Sequence, residues 1–264
     1  MKPSLLQTAL SLAAFAALGT ATTHATSVLL IDDSRGLSVQ GAWTTSLSNL
    51  GLSYSVETIS PSGNASTDLS LFDTVIWTVG DQAYQNLTSA NWATMTSYVS
   101  GGGSLIYAGG HSVYEENNVG HAAIESFFGV SNTRYNMPSI PASTTASGTG
   151  NSATFGTTTY GINHWSGGYY NGTMMSGFNT STGIGLVGLP VGSGGGPFIV
   201  ATNAVGNAQL WGLDLNQVAS ADRDAFLGAS LGLLPSSAVP DASTTMTLLA
   251  GSFLGLAFLR RRET

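Results

Sequence analysis

The chain has 264 residues, of which 42% are apolar and only 8% charged, and its 14 acidic against 7 basic side chains give a formal net charge of −7 at pH 7. Such a balance offers no basic face to nucleic acid or another polyanion, and the apolar content is that of a folded chain rather than a disordered one. There is no cysteine, which excludes thiol catalysis, disulfides and thiolate metal sites.

At the N-terminus, Lys2 precedes the stretch Leu5 to Leu18, in which 11 of 14 residues are apolar, and small residues follow up to Thr23-His24-Ala25. Charged start, apolar middle and small-residue site are the three parts of a secretory signal peptide, so residues 1–25 are read as removed after Ala25. A buried N-terminal helix is the alternative, but the run is too short to span a bilayer and leads directly into a strand-like segment.

Residues 26–234 read as one α/β domain. Ser27 to Ile31 is a continuous apolar run ending at Asp32-Asp33; Trp43, Leu47 and Leu50 recur at helical spacing, with Gly51 placed to stop that helix. Tyr54 to Ile59 alternates as a second strand, and Thr74 to Val79 is a third, ending at Gly80-Asp81. Trp92, Met95 and Val99 share a helix face whose cap falls at Thr88 or Ser89, and Ser104 to Ala108 supplies a fourth strand after Gly101. His121 belongs to a helix with the apolar face Ile124, Phe127 and Phe128, closed by Gly129.

From 126 to 213 only Arg134 is charged, among many Gly, Ser, Thr and Asn residues; an insertion of β-structure and loops is expected at about 131–196, because Phe155, Tyr160, Trp165, Tyr169, Tyr170 and Phe178 interrupt what would otherwise read as a linker. Phe198 to Thr202 and Gln209 to Leu215 then read as strands, and Leu227, Leu231 and Leu234 line a final helix. Buried strands alternating with amphipathic helices predict a three-layer, mainly parallel sheet with right-handed crossovers.

Residues 235–264 form a linker and tail. Val239-Pro240-Asp241 precedes an uncharged run from Ala242 to Leu259 and the cluster Arg260-Arg261-Arg262. As a helix this run would measure about 27 Å, close to the roughly 30 Å hydrocarbon core, and the arginines would hold their end in the cytoplasm. Proline motif, apolar helix and arginine cluster together resemble the PEP-CTERM sorting signal in its VPD-type form, with Asp241 where the commoner form has glutamate. An ordinary tail anchor shares the apolar stretch and the positive end. The resemblance implies a Gram-negative bacterial protein, held in the inner membrane as an intermediate, recognised by an exosortase and the secretion machinery, and passed to the cell surface or an exopolysaccharide-containing extracellular matrix.

The segments VLLIDD, LSLFDTVIWTVGD, LTSANWATMTSYVSGGGSLIYAGG and AQLWGLDLNQVASADRDAFLGASLGLL resemble divergent class I glutamine amidotransferase-like domains over about 27–130 and 197–234. This implies a flavodoxin-like sheet with the nucleophile turn of catalytic members at Gly109-Gly110-His111. No cysteine stands there, so amidotransferase chemistry does not carry over, and Gly-Gly-His-Ser lacks the Gly-x-Ser-x-Gly elbow that would expose Ser112. His111 and Ser112 are the catalytic candidates.

Open parallel sheets gather ligands at the carboxyl ends of their strands. Asp32, Asp33 and Asp81, with His111, Glu115 and Glu116 nearby, are therefore candidate ligands for Ca²⁺ or Mg²⁺, the alternative being solvated loop residues. Trp165, Tyr169 and Tyr170, beside Asn163 and His164, suit stacking on sugar rings or, alternatively, packing beneath loops. The reading is an exported, non-enzymatic surface or matrix protein with a binding or structural role linked to exopolysaccharide. The alternative is a secreted hydrolase of a glycan or peptide, with metal assistance.

Overall fold

The computed structural model describes residues 27–34, 40–60, 63–80, 87–110, 121–134, 143–163, 175, 177–189 and 198–232. The expected signal peptide and the expected transmembrane helix at 242–259 lie outside these residues; among the described residues no helix is long and apolar enough to cross a membrane.

In chain order the first half comprises β1 (Ser27–Asp32), α1 (Gln40–Asn49), β2 (Ser53–Thr58), β3 (Thr74–Thr78), α2 (Ser89–Ser100), β4 (Ser104–Ala108) and α3 (His121–Phe128). The strands β5 (Val130–Arg134), β6 (Ser143–Gly148), β7 (Thr159–Asn163), β8 (Gly177–Thr180), β9 (Ile184–Gly188), β10 (Phe198–Thr202) and β11 (Ala208–Trp211) follow, and α4 (Arg223–Leu231) closes the domain. The expected strands and helices of the first half are all present. Thr88 is the cap of α2, its hydroxyl accepting from the Asn91 amide at 3.0 Å.

The sheet runs β2-β1-β3-β4-β11-β10-β9-β6-β7, with β8 branching from β10 and pairing β5. From β2 to β11 the pairs are parallel, and from β11 to β7 they are antiparallel. The Gly/Ser/Thr-rich middle, expected as an insertion on an otherwise mainly parallel sheet, thus extends that same sheet. Its strands pair where their inner faces can be covered: Ala146, Tyr160, Ile162, Leu186 and Val187 are all buried.

Two cores flank the sheet, giving the expected three layers. Alternation along β1 sends Val28 and Leu30 to the face covered by Trp43 and Leu47 of α1 and by Phe226 and Leu227 of α4. Leu29 and Ile31 face Met95 and Val99 of α2 and Ile124 and Phe128 of α3. Burying each such side chain contributes about 1.5–3 kcal/mol.

Two expectations at the C-terminal end are corrected. The last strand ends at Trp211 rather than at Leu215, because Asp214 caps a 3-10 turn at Leu215–Gln217 through a reciprocal capping box with Gln217. The buried face of α4 is Phe226, Leu227 and Ser230. Leu231 only packs at its margin and Leu234 lies outside the described residues.

Phe226 is the centre of an aromatic cluster, with ring centroids 4.9 Å from Trp211, 4.9 Å from Tyr160 and 5.5 Å from Phe155. Trp211 in turn lies 5.3 Å from Trp43. The cluster joins the parallel half of the sheet to the antiparallel half.

Both ends of the described domain lie on the side where the parallel strands begin. Ser27 opens β1, and the end of α4 lies beside the start of β11, where Gln209 Nε2 donates to the Ser230 carbonyl at 2.8 Å. The chain therefore enters and leaves at the amino edge of the parallel strands.

Candidate functional site

The opposite, carboxyl edge is where a doubly wound sheet collects functional groups, above all between β1 and β3, where the direction of winding reverses. Asp32 and Asp33 lie at the end of β1 and are 2% and 1% exposed, so they are buried, not solvated loop residues. Asp32 Oδ1 accepts from the Ser34 amide at 2.9 Å. The Asp33 amide donates to the Thr78 carbonyl at 2.9 Å, and its Oδ2 accepts from Trp77 Nε1 at 3.2 Å. Strand ends and side chains thereby fasten β1 to β3.

A third buried carboxylate completes this edge. Asp214, after β11, is 0% exposed. Its Oδ2 accepts from Trp43 Nε1 at 3.1 Å and from the Thr78 hydroxyl, and its Oδ1 accepts from the Asn216 amide at 3.0 Å. Its own amide donates to Gln217 Oε1 at 2.7 Å. Thr78 Oγ1 also accepts from the Gly80 amide at 3.1 Å, so one carboxylate holds the ends of β3 and β11 and the start of α1 together. These N–H and O–H donors compensate the burial of the Asp214 carboxyl oxygens.

Asp214 does not stand out in the sequence. The signal is there, since an acidic residue directly after a buried strand occupies the same place as Asp32-Asp33 after β1. A strand expected to run through it to Leu215 hides its position at a strand end.

The turn after β4, where the resemblance implies a nucleophile, is tightly packed. Gly109 has φ +151, and a Cβ there would lie 2.4 Å from Val79 Cγ2 and 2.7 Å from the Gly80 carbonyl oxygen. The Gly109 amide donates to the Trp211 carbonyl at 3.2 Å and the Gly110 amide to the Gly80 carbonyl at 2.9 Å. Gly109→Ala therefore combines a backbone conformation disfavoured for L-residues with a clash against backbone. It is expected to cost about 1–3 kcal/mol from the backbone conformation alone, read as a lowered urea midpoint with an unchanged m-value. An unchanged midpoint would show that the turn can relax.

The remaining candidates fall elsewhere. Asp81, His111, Ser112, Glu115 and Glu116 lie outside the described residues, as do Trp165, Tyr169 and Tyr170 and the tail residues Val239, Pro240, Asp241, Arg260, Arg261 and Arg262. Among the described residues no group of three or more His, Cys, Asp or Glu side chains is arranged to hold a metal ion. Phe155, Tyr160 and Phe178 are buried core residues.

Outside this edge, Glu57 of β2 anchors the segment that follows it. Its carboxylate accepts from the Ser66 amide at 2.6 Å, the Ser66 hydroxyl at 2.9 Å and the Thr67 amide at 3.2 Å. Burial pushes the carboxyl up, and these hydrogen bonds outweigh burial and hold it below its ordinary value.

No curated protein matches the chain by sequence. Among solved structures, it is similar to a β-galactosidase from Bacillus circulans sp. alkalophilus, with a TM-score of 0.54 and 11% identity over 80% of this chain. The match spans 32% of the length of that enzyme. A protein assigned as a GMP synthase subunit from Thermoplasma acidophilum matches with a TM-score of 0.50 and 12% identity, over 80% of this chain and 94% of that one. A ThuA-like protein from Parabacteroides merdae matches with a TM-score of 0.51 and 9% identity, over 80% of this chain and 90% of that one. At these identities the likeness is one of fold, and it includes the glutamine amidotransferase-like fold that the sequence segments imply. Residues 238–262 match the VPDSG-CTERM motif, of which this chain keeps Val239-Pro240-Asp241 and has Ala242-Ser243 in the last two places; the chain carries a PEP-CTERM-type sorting signal.

Proposed function

We propose that this is an exported protein, held in the inner membrane by its tail, processed by an exosortase and delivered to the cell surface or extracellular matrix, where it has a non-enzymatic binding or structural role linked to exopolysaccharide. The observation that carries the reading is the sorting motif at residues 238–262. Two features support it. Both ends of the described domain lie at the amino edge, so removing the signal peptide and the tail cuts no strand of the sheet. The carboxylates of Asp33 and Asp214 at the carboxyl edge are engaged in fastening separate elements together, and that of Asp32 accepts locally from the Ser34 amide.

Intact-mass measurement of the protein recovered from the surface of its native host tests the processing. The expected mass lacks residues 1–25 and Arg260 to Arg262; a surface product retaining the three arginines refutes tail removal. Deleting residues 239–264 is expected to mislocalise the protein without changing its melting temperature, because the buried core lies upstream. Screening against polysaccharides and peptides tests the role itself. Retention on a polysaccharide without turnover agrees with the reading, whereas turnover abolished by His111→Ala overturns it in favour of the hydrolase.

A further inference from the structure

The two ends of the main path of the sheet are treated differently. At one end, β7 is covered: Ile162 bridges to Val218, the Gly161 amide donates to Asp222 Oδ2 at 2.7 Å, and the Gly161 carbonyl accepts from the Ala219 amide at 2.8 Å. At the other end, β2 is last in the strand order and pairs only with β1 among the described strands. Its residues Ser53, Ser55, Val56 and Thr58 are exposed, with Val56 at 41%.

Open edges are ordinarily guarded by lysine, proline, a bulge or an unengaged charge. β2 has none of the first three: its sequence is Ser-Tyr-Ser-Val-Glu-Thr, and its register with β1 is unbroken from Ser27↔Ser53 to Asp32↔Thr58. Its one charge, Glu57, is turned to the amides of Ser66 and Thr67 of its own chain.

We propose that β2 pairs antiparallel with β2 of a second copy of this chain, with Val56 opposite Val56 across a two-fold axis. A two-fold normal to the sheet keeps its faces on the same sides, so residues opposite one another must belong to the same face. Centring on Val56 satisfies this. Tyr54 then faces Thr58 of the second copy, Ser55 faces Glu57, and the one exposed aliphatic side chain of the strand is covered by its own copy. The two Glu57 carboxylates are not opposed, so the like-charge penalty of a cross-strand pair is avoided.

Because the two-fold pairing uses β2 of both copies, each β2 edge is consumed by the other and the pairing closes as a dimer. A strand of this length spans about 20 Å and buries less than the roughly 800 Å² per partner of a stable interface. The dimer is therefore reversible and forms where copies are concentrated side by side.

The absence of cysteine gives a clean test in the full chain, purified in detergent at high protein concentration. Directly opposed residues have Cβ atoms about 4.5–5.5 Å apart, within small adjustment of disulfide geometry. Val56→Cys is expected to give a disulfide-linked dimer as its main oxidation product. Val205→Cys, at a position 81% exposed on the turn between β10 and β11, serves as the control and is expected to remain largely monomeric. Equal cross-linking of the two variants, which tail-driven association would produce, overturns the proposal, as does failure of both to cross-link. Val56→Lys is expected to keep the wild-type melting temperature and to lose the dimer that the wild-type protein shows in sedimentation at the same concentration; a Val56→Lys protein that still sediments as that dimer also overturns the proposal.

Discussion

Asp214→Ala is expected to lower the unfolding free energy by about 3–5 kcal/mol, since it leaves Trp43 Nε1, the Thr78 hydroxyl and the Asn216 amide without their common acceptor, at roughly 1–3 kcal/mol per unsatisfied buried group with some relaxation. Trp43, Thr78 and Asp214 are all 0% exposed, so water does not reach the indole and hydroxyl donors without opening the strand ends. Asp214→Asn keeps one acceptor oxygen but turns an NH2 group toward donors, and is expected to lose about half as much. Thr78→Val removes one of the donors; combined with Asp214→Ala it should cost less than the two single changes added, because both delete the same hydrogen bond. Urea unfolding of the four proteins measures this. Losses for Asp214→Ala below about 1 kcal/mol, the worth of an ordinary hydrogen bond, would show that the carboxylate does not hold the edge together.

Phe226→Ala is the second large effect, at about 3–5 kcal/mol for deleting a fully buried aromatic ring. The ring touches Trp211 on the parallel half and Phe155 and Tyr160 on the antiparallel half, so the loss is expected to be unevenly distributed. Amide exchange should accelerate first in β6 and β7, whose inner face loses its cover, while β1 and β3, packed also from the α2 side, retain more protection. A uniform acceleration across both halves would mean that they unfold as one unit and that Phe226 is not the link between them.

Much of the first half was legible in the sequence because its signals are local. Four continuous or alternating apolar runs, a threonine cap at Thr88 and a stop at Gly129 each depend on a few neighbouring residues, and burial on both faces of a parallel strand leaves an uninterrupted run such as Val28 to Ile31. The candidate site was legible only in part. Asp32-Asp33 stood out as a pair after a strand, whereas Asp214 was concealed inside a segment whose apolar neighbours Leu213 and Leu215 continued the look of β11.

The expectation of export rests on sequence alone, since a signal peptide and a sorting tail are read as linear segments whose length, apolarity and terminal charge carry the information. So does the exclusion of thiol chemistry. The pairing of the Gly/Ser/Thr-rich strands with β10, the capped β7 end and the β2 end that pairs only with β1 among the described strands, the meeting of Trp43, Thr78 and Asp214, and the position of Phe226 between the two halves came from the folded chain. Each joins residues far apart in sequence, as Trp43 and Asp214 are at a separation of 171 positions. Apolar periodicity states that a strand face must be covered but is silent on which distant segment covers it; that choice is made by packing and by the satisfaction of buried hydrogen-bonding groups.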